Sequence, residues 1–350
     1  MSKPDIRALT IQELTAVLAE WNAPAFRAKQ IQNWLDNGVT DFDRMNNLPA
    51  ALRTQLAEHF RIPSVKILRR LVSSIDDTTK YLFELEDGQT VESVLMKYKH
   101  GWSQCLSTQV GCRMGCSFCA TGIDGLARNL TASEMMAQIE AAQADRSIRV
   151  SSIVLMGMGE PLDNYDEVLR FFKMLETPDG VHIGMRHVSL STCGLVDRIY
   201  DLMEENLQIT LSISLHAPNN ELRRKLMPVA RKWTVEELLA ACKAYTDRTG
   251  RRISYEYAMI DGVNDTDACA HELVRRLRGT LCHINLIPAN AVEGKAQRRS
   301  SQARLRAFTE ILTEGGLNAT VRRTLGSDIN ASCGQLRRHQ QDGTKQHFSE

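Results

Sequence analysis

The sequence contains no run of about 20 apolar residues, which is the length that a helix needs to cross a bilayer. Its first five residues are polar, and no apolar stretch of the kind found in secretory signal peptides follows them. It also lacks low-complexity tracts and repeats with a period of about 20 to 50 residues. These absences predict a globular protein of the cytoplasm that does not associate with a membrane.

Charge of one sign is not in excess either. The chain has 43 Lys and Arg against 42 Asp and Glu, a net charge of +1, which argues against a protein that coats nucleic acid by bulk charge. The arginines are nevertheless bunched into seven adjacent Arg-Arg pairs. If several of these pairs converge on one surface, they can supply phosphate contacts locally while acidic residues elsewhere cancel the total.

Disulfides are not needed to hold a chain of this size together. Its 350 residues correspond to roughly two domains and can bury a large apolar core. The nine cysteines form an odd number, and in a reducing compartment clustered cysteines more often bind metal or react than form disulfides. The cysteines are therefore the first candidates for chemistry.

The chain divides into a helical beginning and a longer α/β part. Helical spacing of apolar residues predicts three helices within residues 1–75, at Thr10–Trp21, Ala25–Leu35 and Leu48–Phe60. Two strand-like runs around a Glu-Asp-Gly turn predict a β-hairpin linker at residues 76–99, with strands Lys80–Leu85 and Thr90–Tyr98. The last ten residues, 341–350, form a polar tail.

From Ser151 onwards, short β-rich runs alternate with amphipathic helical runs, which predicts βα units and a parallel sheet. We place the core that contains them at residues 100–340. Right-handed crossovers curl such a sheet towards a barrel, whose chemistry lies at the carboxyl ends of its strands. Glycine and polar residues do follow the predicted strands, as in Gly157–Pro161, Ser191–Gly194 and Leu215–Pro218. The predicted strands are Ser152–Met156, His187–Ser191, Ile209–Leu215, Ile253–Met259, His283–Ile287 and Ala319–Arg322.

The strongest chemical signal is the loop that contains Cys112, Cys116 and Cys119. Three cysteines at this spacing can place three thiolates on one centre, and iron–sulfur clusters take cysteine thiolates, usually four. A loop with three leaves one iron open for an exchangeable ligand. The alternative is a structural zinc ion, which needs four ligands, and Cys105, seven residues upstream, could supply the fourth.

Two features together resemble the radical S-adenosylmethionine (SAM) superfamily. One is the cysteine loop, with the aromatic residue Phe118 directly before its last cysteine, and the other is the glycine-rich turn Gly157–Pro161 at a predicted strand end. The resemblance implies a partial (βα)6 radical SAM barrel. It also implies a [4Fe-4S] cluster on the three cysteines, whose open iron binds SAM. An electron from a donor such as flavodoxin or ferredoxin then cleaves SAM to a 5′-deoxyadenosyl radical.

Further segments are similar to one family within this superfamily, the RlmN family of RNA adenine methyltransferases, over nearly the whole chain. They are Phe26–Ile31, Val91–Met96, Gln109–Cys112, Arg128–Thr131, Ser214–Pro218, Leu226–Pro228 and Arg322–Leu336. The resemblance implies methylation of C2 of adenosine 2503 in 23S rRNA and of C2 of adenosine 37 in tRNAs. It also implies a monomer, and an RNA-binding accessory role for the helical residues 1–75.

The resemblance assigns reacting residues as well. It implies that one SAM methylates Cys333, that a second SAM gives the radical that activates this methyl group, and that the carbon then adds to adenine C2. A radical route is needed because the ring carbon is a poor nucleophile for ordinary methyl transfer. Cys105 would release the product in a thiol–disulfide step, and Glu92 would accept a proton.

The SAM contacts that the resemblance implies are Gly159, Glu160, Ser191, Ser214, Leu215, His216 and Asn290. Taken alone, His216 is more often a hydrogen-bonded core histidine than a ligand. The loop after Asn290 departs from the family pattern, since alanine stands where proline is frequent. That departure leaves the substrate contact of this loop open.

Two alternatives to the C2 enzyme remain. Thr121–Gly125 and Met96–Lys99 are also similar to the paralogue that methylates C8 of the same rRNA adenosine and gives antibiotic resistance. The segment Arg322–Asp328 favours the C2 enzyme. A zinc-stabilised RNA-binding module is the alternative from a different functional class, but such a module would need neither Cys333 nor Cys105.

Overall fold

The computed structural model describes residues 3–177, 180–289, 298–329 and 331. Its first part is helical, as the sequence predicts, with α1 at Ile11–Glu20, α2 at Phe26–Asp36 and α3 at Ala50–His59. Thr10 and Glu13 form a reciprocal cap at the start of α1, because each side chain accepts the backbone N–H of the other residue. These helices bury an apolar cluster of their own, separate from the core of the remaining chain.

Residues 66–72 contradict the expectation of helix up to residue 75. Lys66–Val72 forms strand β1, which pairs antiparallel with β2 at Thr79–Glu84. It is the edge strand of the main sheet, and its side chains are exposed or half-buried. The adjacent Arg69 and Arg70 interrupt the alternation of apolar and polar residues that indicates a strand. Charged residues are nevertheless common on edge strands, because they oppose pairing with a further strand.

The predicted hairpin is present as β2 and β3 (Thr90–Tyr98), but it does not stand apart as a linker. Strand β3 also pairs antiparallel with β4 at Gly101–Cys105, and β4 in turn pairs parallel with the next strand of the main sheet. The hairpin therefore continues directly into the barrel sheet.

Ten strands form this main sheet, in the order β1-β2-β3-β4-β7-β8-β9-β10-β11-β12, and every pair from β4 onwards is parallel. The other strands are β5 Gln109–Gly111 and β6 Leu126–Asn129, which form a small separate sheet, and β7 Val150–Leu155, β8 Val188–Thr192, β9 Thr210–Ser214, β10 Ile253–Met259, β11 Cys282–Pro288 and β12 Ala319–Val321. The remaining helices are α4 Ala132–Arg146, α5 Tyr165–Leu175, α6 Val196–Glu204, α7 Asn220–Leu226, α8 Val235–Thr249, α9 Asp267–Leu277 and α10 Gln302–Glu314. In the described ranges no helix is both long and apolar enough to cross a bilayer.

Strands β7 to β11 are each followed by helix, β4 is followed by the small β5–β6 sheet and then by α4, and β12 ends the main sheet. Within the residues that the structure describes, no strand joins β12 to β1, so the barrel is open. The partial (βα)6 barrel is confirmed. The sequence prediction placed the barrel core at residues 100–340, but its first named strand was Ser152–Met156, so it missed β4 and α4.

Side chains along the parallel strands alternate between the helices and the concave face of the sheet. On β10, Tyr255 and Tyr257 belong to the apolar core, whereas Glu256 and Ala258 line a cavity on the other face. A closed barrel fills its interior with layers of branched apolar side chains. Here the smaller Ser191 and Ser214 take such positions, which leaves space for a ligand.

A buried ion pair joins the helical part to the barrel. Arg7 Nη1 lies 2.9 Å from Glu140 Oε2 on α4, and Arg7 Nη2 donates to the carbonyls of Leu35 and Val39. One side chain thus ties α4 to the end of α2 and to the loop that follows α2.

Candidate active site

A cavity of about 320 Å³ lies at the carboxyl ends of the parallel strands. Its wall is built mainly from the cysteine loop and from residues at or after the ends of six strands, β7 to β12. This is the edge of the sheet where the sequence predicts the chemistry. Of the expected site residues, the cavity wall includes Cys112, Cys116, Cys119, Gly159, Glu160, Ser191, Ser214 and His216.

The cysteine loop connects β5 and β6 and is fixed by main-chain hydrogen bonds. The Cys112 N–H donates to Gly125 O at 2.8 Å, and the Ser117 N–H donates to Leu226 O at the end of α7, also at 2.8 Å. Gly111 has φ +82°, and a Cβ there would collide with the Gly125 carbonyl. The loop can therefore close on itself only with glycine at this position.

The three thiols fit an iron–sulfur cluster by the chemistry of their donor set. All three face one cavity, and the fourth position of a cluster would open into the same space. Burial raises the pKa of Cys112 to about 12, so this thiol stays protonated until a metal centre displaces the proton. Among the described residues no three His, Cys, Asp or Glu side chains surround a single metal-ion position.

The glycine-rich turn after β7 passes very close to its neighbours. A Cβ on Gly157 would lie 2.5 Å from Leu106 O, and one on Gly159, which has φ +104°, would lie 2.8 Å from Gln109 N. Both distances are shorter than any normal contact, so the turn needs glycine at both positions. It presents main-chain atoms to the cavity beside the cysteine loop.

The Gly159→Ala variant is expected to lose roughly 2 to 6 kcal/mol of folding free energy, from backbone strain together with overpacking. Gly262→Ala is the matched control, because Gly262 also has positive φ but has open space around it, and about 1–2 kcal/mol is expected there. Urea unfolding of both variants measures the difference. Equal losses of folding free energy in the two variants would show that the short contact between position 159 and Gln109 does not contribute to the effect of Gly159→Ala.

Glu160 is buried at the cavity wall. Its Oε2 accepts the Cys193 N–H at 2.7 Å and its Oε1 accepts the Leu162 N–H at 3.1 Å. Burial raises the pKa of this carboxyl group, although these hydrogen bonds oppose the rise. A carboxylate oxygen has more than one lone pair, so Glu160 can still accept from a ligand amine.

His216 is held as a neutral imidazole. Its Nδ1 accepts the Ala258 N–H at 2.9 Å, which leaves the proton on Nε2. Burial, with a smaller effect of the Arg223 charge, lowers its pKa to about 3. The ring also meets the Phe118 ring edge-on at 4.7 Å, which links the cysteine loop to the end of β9.

Two of the expected SAM contacts do not appear in the cavity wall. The Leu215 side chain is buried in the apolar core, so only its main chain is left to face a ligand. Asn290 lies outside the described residues. Ser191 and Ser214 do face the cavity, and their hydroxyl oxygens are 3.5 Å apart.

A second cavity of about 210 Å³ adjoins the first and shares Met156, Ile287, Pro288 and Arg322 with it. Cys105, at the end of β4, lines this second cavity together with Ala331. Cys333 lies outside the described residues, two positions after Ala331 in the sequence.

The chain that leads towards Cys333 is attached to the turn between β1 and β2. The Asp328 carboxylate accepts from Ser73 Oγ at 2.7 Å, from the Ser74 N–H at 2.9 Å and from Ser74 Oγ at 3.1 Å. The Gly326 N–H donates to Asp76 Oδ2 at 2.9 Å. We call this set of contacts the clasp. It holds residues 326–328 beside the second cavity.

Glu92 lies on β3 but in neither cavity wall. By strand alternation it shares a face with Val94 and Met96, which do line the second cavity. Its Oε2 is 3.0 Å from Lys80 Nζ, and both side chains are 1% exposed. The sequence prediction did not anticipate this ion pair.

Four further polar residues in or next to the site were missed by sequence reasoning. Glu256 and Arg322 line the first cavity, and Asn285 Nδ2 donates to Glu256 Oε2 at 2.7 Å. Arg223 is fully buried behind the cavity. A glutamate inside a predicted buried strand and an arginine pair beside Leu226–Pro228 were the available signals.

Comparison with known proteins bears on both parts of the chain. Residues 106–273 match the family model described as the radical SAM superfamily, and residues 5–62 match that of the ribosomal RNA large subunit methyltransferase N-terminal domain. A solved relative is a radical SAM methyltransferase from Sphaerobacter thermophilus. It is 45% identical, covers 95% of this chain and 98% of its own, and has a TM-score of 0.90.

Two sequence relatives are each named as a probable dual-specificity RNA methyltransferase RlmN. The protein of Alkaliphilus oremlandii is 51% identical over 97% of this chain and 98% of its own length, and that of Alkaliphilus metalliredigens is 48% identical over the full length of both. The chain therefore belongs to the RlmN family of the radical SAM superfamily.

Proposed function

We propose that this protein methylates C2 of adenosine 2503 in 23S rRNA and C2 of adenosine 37 in tRNAs, with the methyl group carried on Cys333. The family supports RNA methylation by radical SAM chemistry. The observation that carries the finer proposal is the pair of adjoining cavities. One is walled by the three-cysteine loop and the glycine-rich turn, and the other by Cys105 and the chain that approaches Cys333.

Membership of the superfamily implies a [4Fe-4S] cluster and SAM. Cys112, Cys116 and Cys119 would hold the cluster. SAM would be held by Gly159, Glu160, Ser191, Ser214, His216, the main chain of Leu215, and Asn290. When bound, these groups supply the methyl group and the radical that activates it.

The chain's own residues would then act in the second cavity. Cys333 accepts the methyl group, and its sulfur carries the one-carbon unit to adenine C2. When C2 then loses its proton, the unpaired electron of the adduct would return to the iron–sulfur cluster that supplied it. The Cys105 thiolate attacks the Cys333 sulfur, so a disulfide forms and the carbon leaves on the base, where a proton completes the methyl group. A thiol reductant must afterwards reduce the disulfide. Glu92 takes up the proton lost from C2, and Lys80 compensates its charge in the buried interior.

The remaining features of the proposal concern partners and organisation. RNA is the macromolecular substrate, and flavodoxin or ferredoxin is the class of electron donor. The enzyme acts as a monomer in the cytoplasm. We divide it into an RNA-binding domain at residues 1–75, a hairpin at 76–99, a core at 100–340 and a tail at 341–350. The separate apolar cluster of the first helices supports a boundary near residue 75, although strand β1, within residues 1–75, already belongs to the main sheet.

The test is anaerobic reconstitution with iron, sulfide, SAM, a reductant and unmodified 23S rRNA fragments or tRNA, followed by base-level mass mapping and NMR of the isolated nucleoside. A methyl group on C2 of one adenosine in each RNA is expected. A Cys282→Ser variant serves as a control, because Cys282 lines neither cavity. Methylation at C8 alone would overturn the proposed position, and a colourless, iron-free protein that folds normally would overturn the radical reaction.

A further inference from the structure

Arg223 is a buried cation with an incomplete set of partners. It belongs to α7 and is 0% exposed. Its Nε donates to Leu215 O at 3.2 Å, and its Nη2 donates to Cys193 O at 2.5 Å and to Ser214 O at 3.2 Å. Its Nη1 is buried without a hydrogen-bond partner. The guanidinium is therefore fixed by three main-chain carbonyls at the ends of β8 and β9, while part of it stays unsatisfied.

In the described part of the chain, no carboxylate forms an ion pair with the Arg223 guanidinium. Burial lowers the pKa of Arg223, and the groups that act in the opposite direction are the thiols of Cys193, Cys116 and Cys242. Carbonyl dipoles offset only part of the free energy of burying a charge, and an unpaired ion in a protein interior is strongly destabilising. The guanidinium therefore lacks a counter-charge, which a bound anionic group could supply.

A cluster bound by the cysteine loop would supply this negative charge. The Ser117 N–H donates to Leu226 O at the end of α7, so the loop rests directly on the helix that carries Arg223. Cys116 and Cys193 both line the first cavity. Three thiolates on a [4Fe-4S]²⁺ core give a unit with one net negative charge, and reduction adds a second.

The neighbouring backbone leaves room for the guanidinium. Gly194 has φ +99°, and a Cβ there would lie 3.2 Å from Arg223 Nη2. The carbonyl contacts restrain three of the donor directions of this side chain. Arg223 therefore cannot swing to solvent when the charge of the cluster changes.

We propose that Arg223 is a positioning residue of the iron–sulfur site, whose fixed positive charge compensates the thiolate-bound cluster and raises its reduction potential. This inference rests on the proposed cluster. The cluster offsets the buried positive charge of Arg223. In return, the guanidinium stabilises the reduced form of the cluster, which carries more negative charge. A purely structural role, tying the ends of β8 and β9 together, would depend on hydrogen bonds and not on charge.

The test compares Arg223→Gln, which removes the charge but keeps amide donors, with Arg223→Lys, which keeps the charge. Arg224→Gln is the matched control, since Arg224 is the adjacent arginine of the same helix and is exposed. Each protein is reconstituted anaerobically, and the cluster is titrated with dithionite and mediators while its EPR signal is followed. The melting temperature is measured with and without the cluster.

We expect a lower midpoint potential in Arg223→Gln, a value near that of the parent protein in Arg223→Lys, and no shift in Arg224→Gln. The gain in melting temperature on cluster insertion should shrink in Arg223→Gln alone. Equal potentials in the Gln and Lys variants, or failure of both to fold, would overturn the inference and leave Arg223 a structural residue. Absence of a cluster from the parent protein and from Arg224→Gln would instead overturn the proposed function.

Discussion

Replacement of Cys105 by Ala is expected to stop the reaction at a covalent protein–RNA adduct. Cys105 lines the second cavity beside Ala331, which stands two positions before Cys333 in the sequence. If Cys105 has the proposed role, its removal leaves no thiolate to attack the Cys333 sulfur, so the carbon bridge between sulfur and adenine C2 should persist. The product should be an RNA-linked band on a denaturing gel, with a yield that approaches one adduct per active enzyme.

Two variants control this experiment. Cys242→Ala removes a thiol that is equally buried but lies on α8, outside both cavities, and it should turn over normally. Cys333→Ala should form neither adduct nor methylated RNA while it keeps its cluster absorbance. Multiple turnovers by Cys105→Ala would contradict the resolving role, and turnover by Cys333→Ala would contradict the methyl-cysteine intermediate.

Glu92→Gln is expected to have the second largest effect, on both stability and rate. The change removes the negative charge that lies 3.0 Å from Lys80 Nζ in a fully buried pair. Breaking such a pair by removing one partner costs about 3–5 kcal/mol. If Glu92 accepts the proton in the reaction, the single-turnover rate should also fall by about 10²–10⁴. Urea unfolding and rapid-quench assays measure the two effects separately.

The exposed pair Lys97–Asp77 provides a control of nearly the same length, at 3.1 Å, with side chains 55% and 53% exposed. Asp77→Asn should cost no more than about 1 kcal/mol, because water screens such a pair. The double variant Lys80→Met/Glu92→Leu should recover most of the stability but none of the rate. Recovery of the rate would leave Glu92 a structural residue only.

The elements with regular apolar spacing were predicted well from sequence. The three first helices and strands β7 to β12 were anticipated to within two residues. All of them except β12, which has no buried residue, carry buried apolar side chains at regular positions. Strand β4 was missed. Its residues Gly101–Cys105 mix glycine, serine and glutamine with one tryptophan, and its buried Gln104 is held by hydrogen bonds to Ser93 and to the Gln138 carbonyl of α4.

The site residues that share a single loop were predicted from the sequence. Those that are brought together from distant segments of the chain were missed. The thiols of Cys112, Cys116 and Cys119 share one short loop, so their spacing alone indicated a common centre. The Lys80–Glu92 pair arises from antiparallel register between two strands, which no short motif encodes. Arg223 was recognised only as half of an Arg-Arg pair, because its burial depends on carbonyls that other strands supply.

The clasp joins residues that are far apart in the chain, since Ser74 and Asp328 are separated by 254 positions. A ribosome that adds about 5 to 20 residues per second needs roughly 13 to 50 s to travel that distance. Throughout this interval the serine hydroxyl groups of the turn between β1 and β2 lack the Asp328 carboxylate that accepts from them, and the second cavity lacks one wall. A growing chain can thus assemble most of its barrel on the ribosome, but its second cavity is completed only after Asp328 has been added.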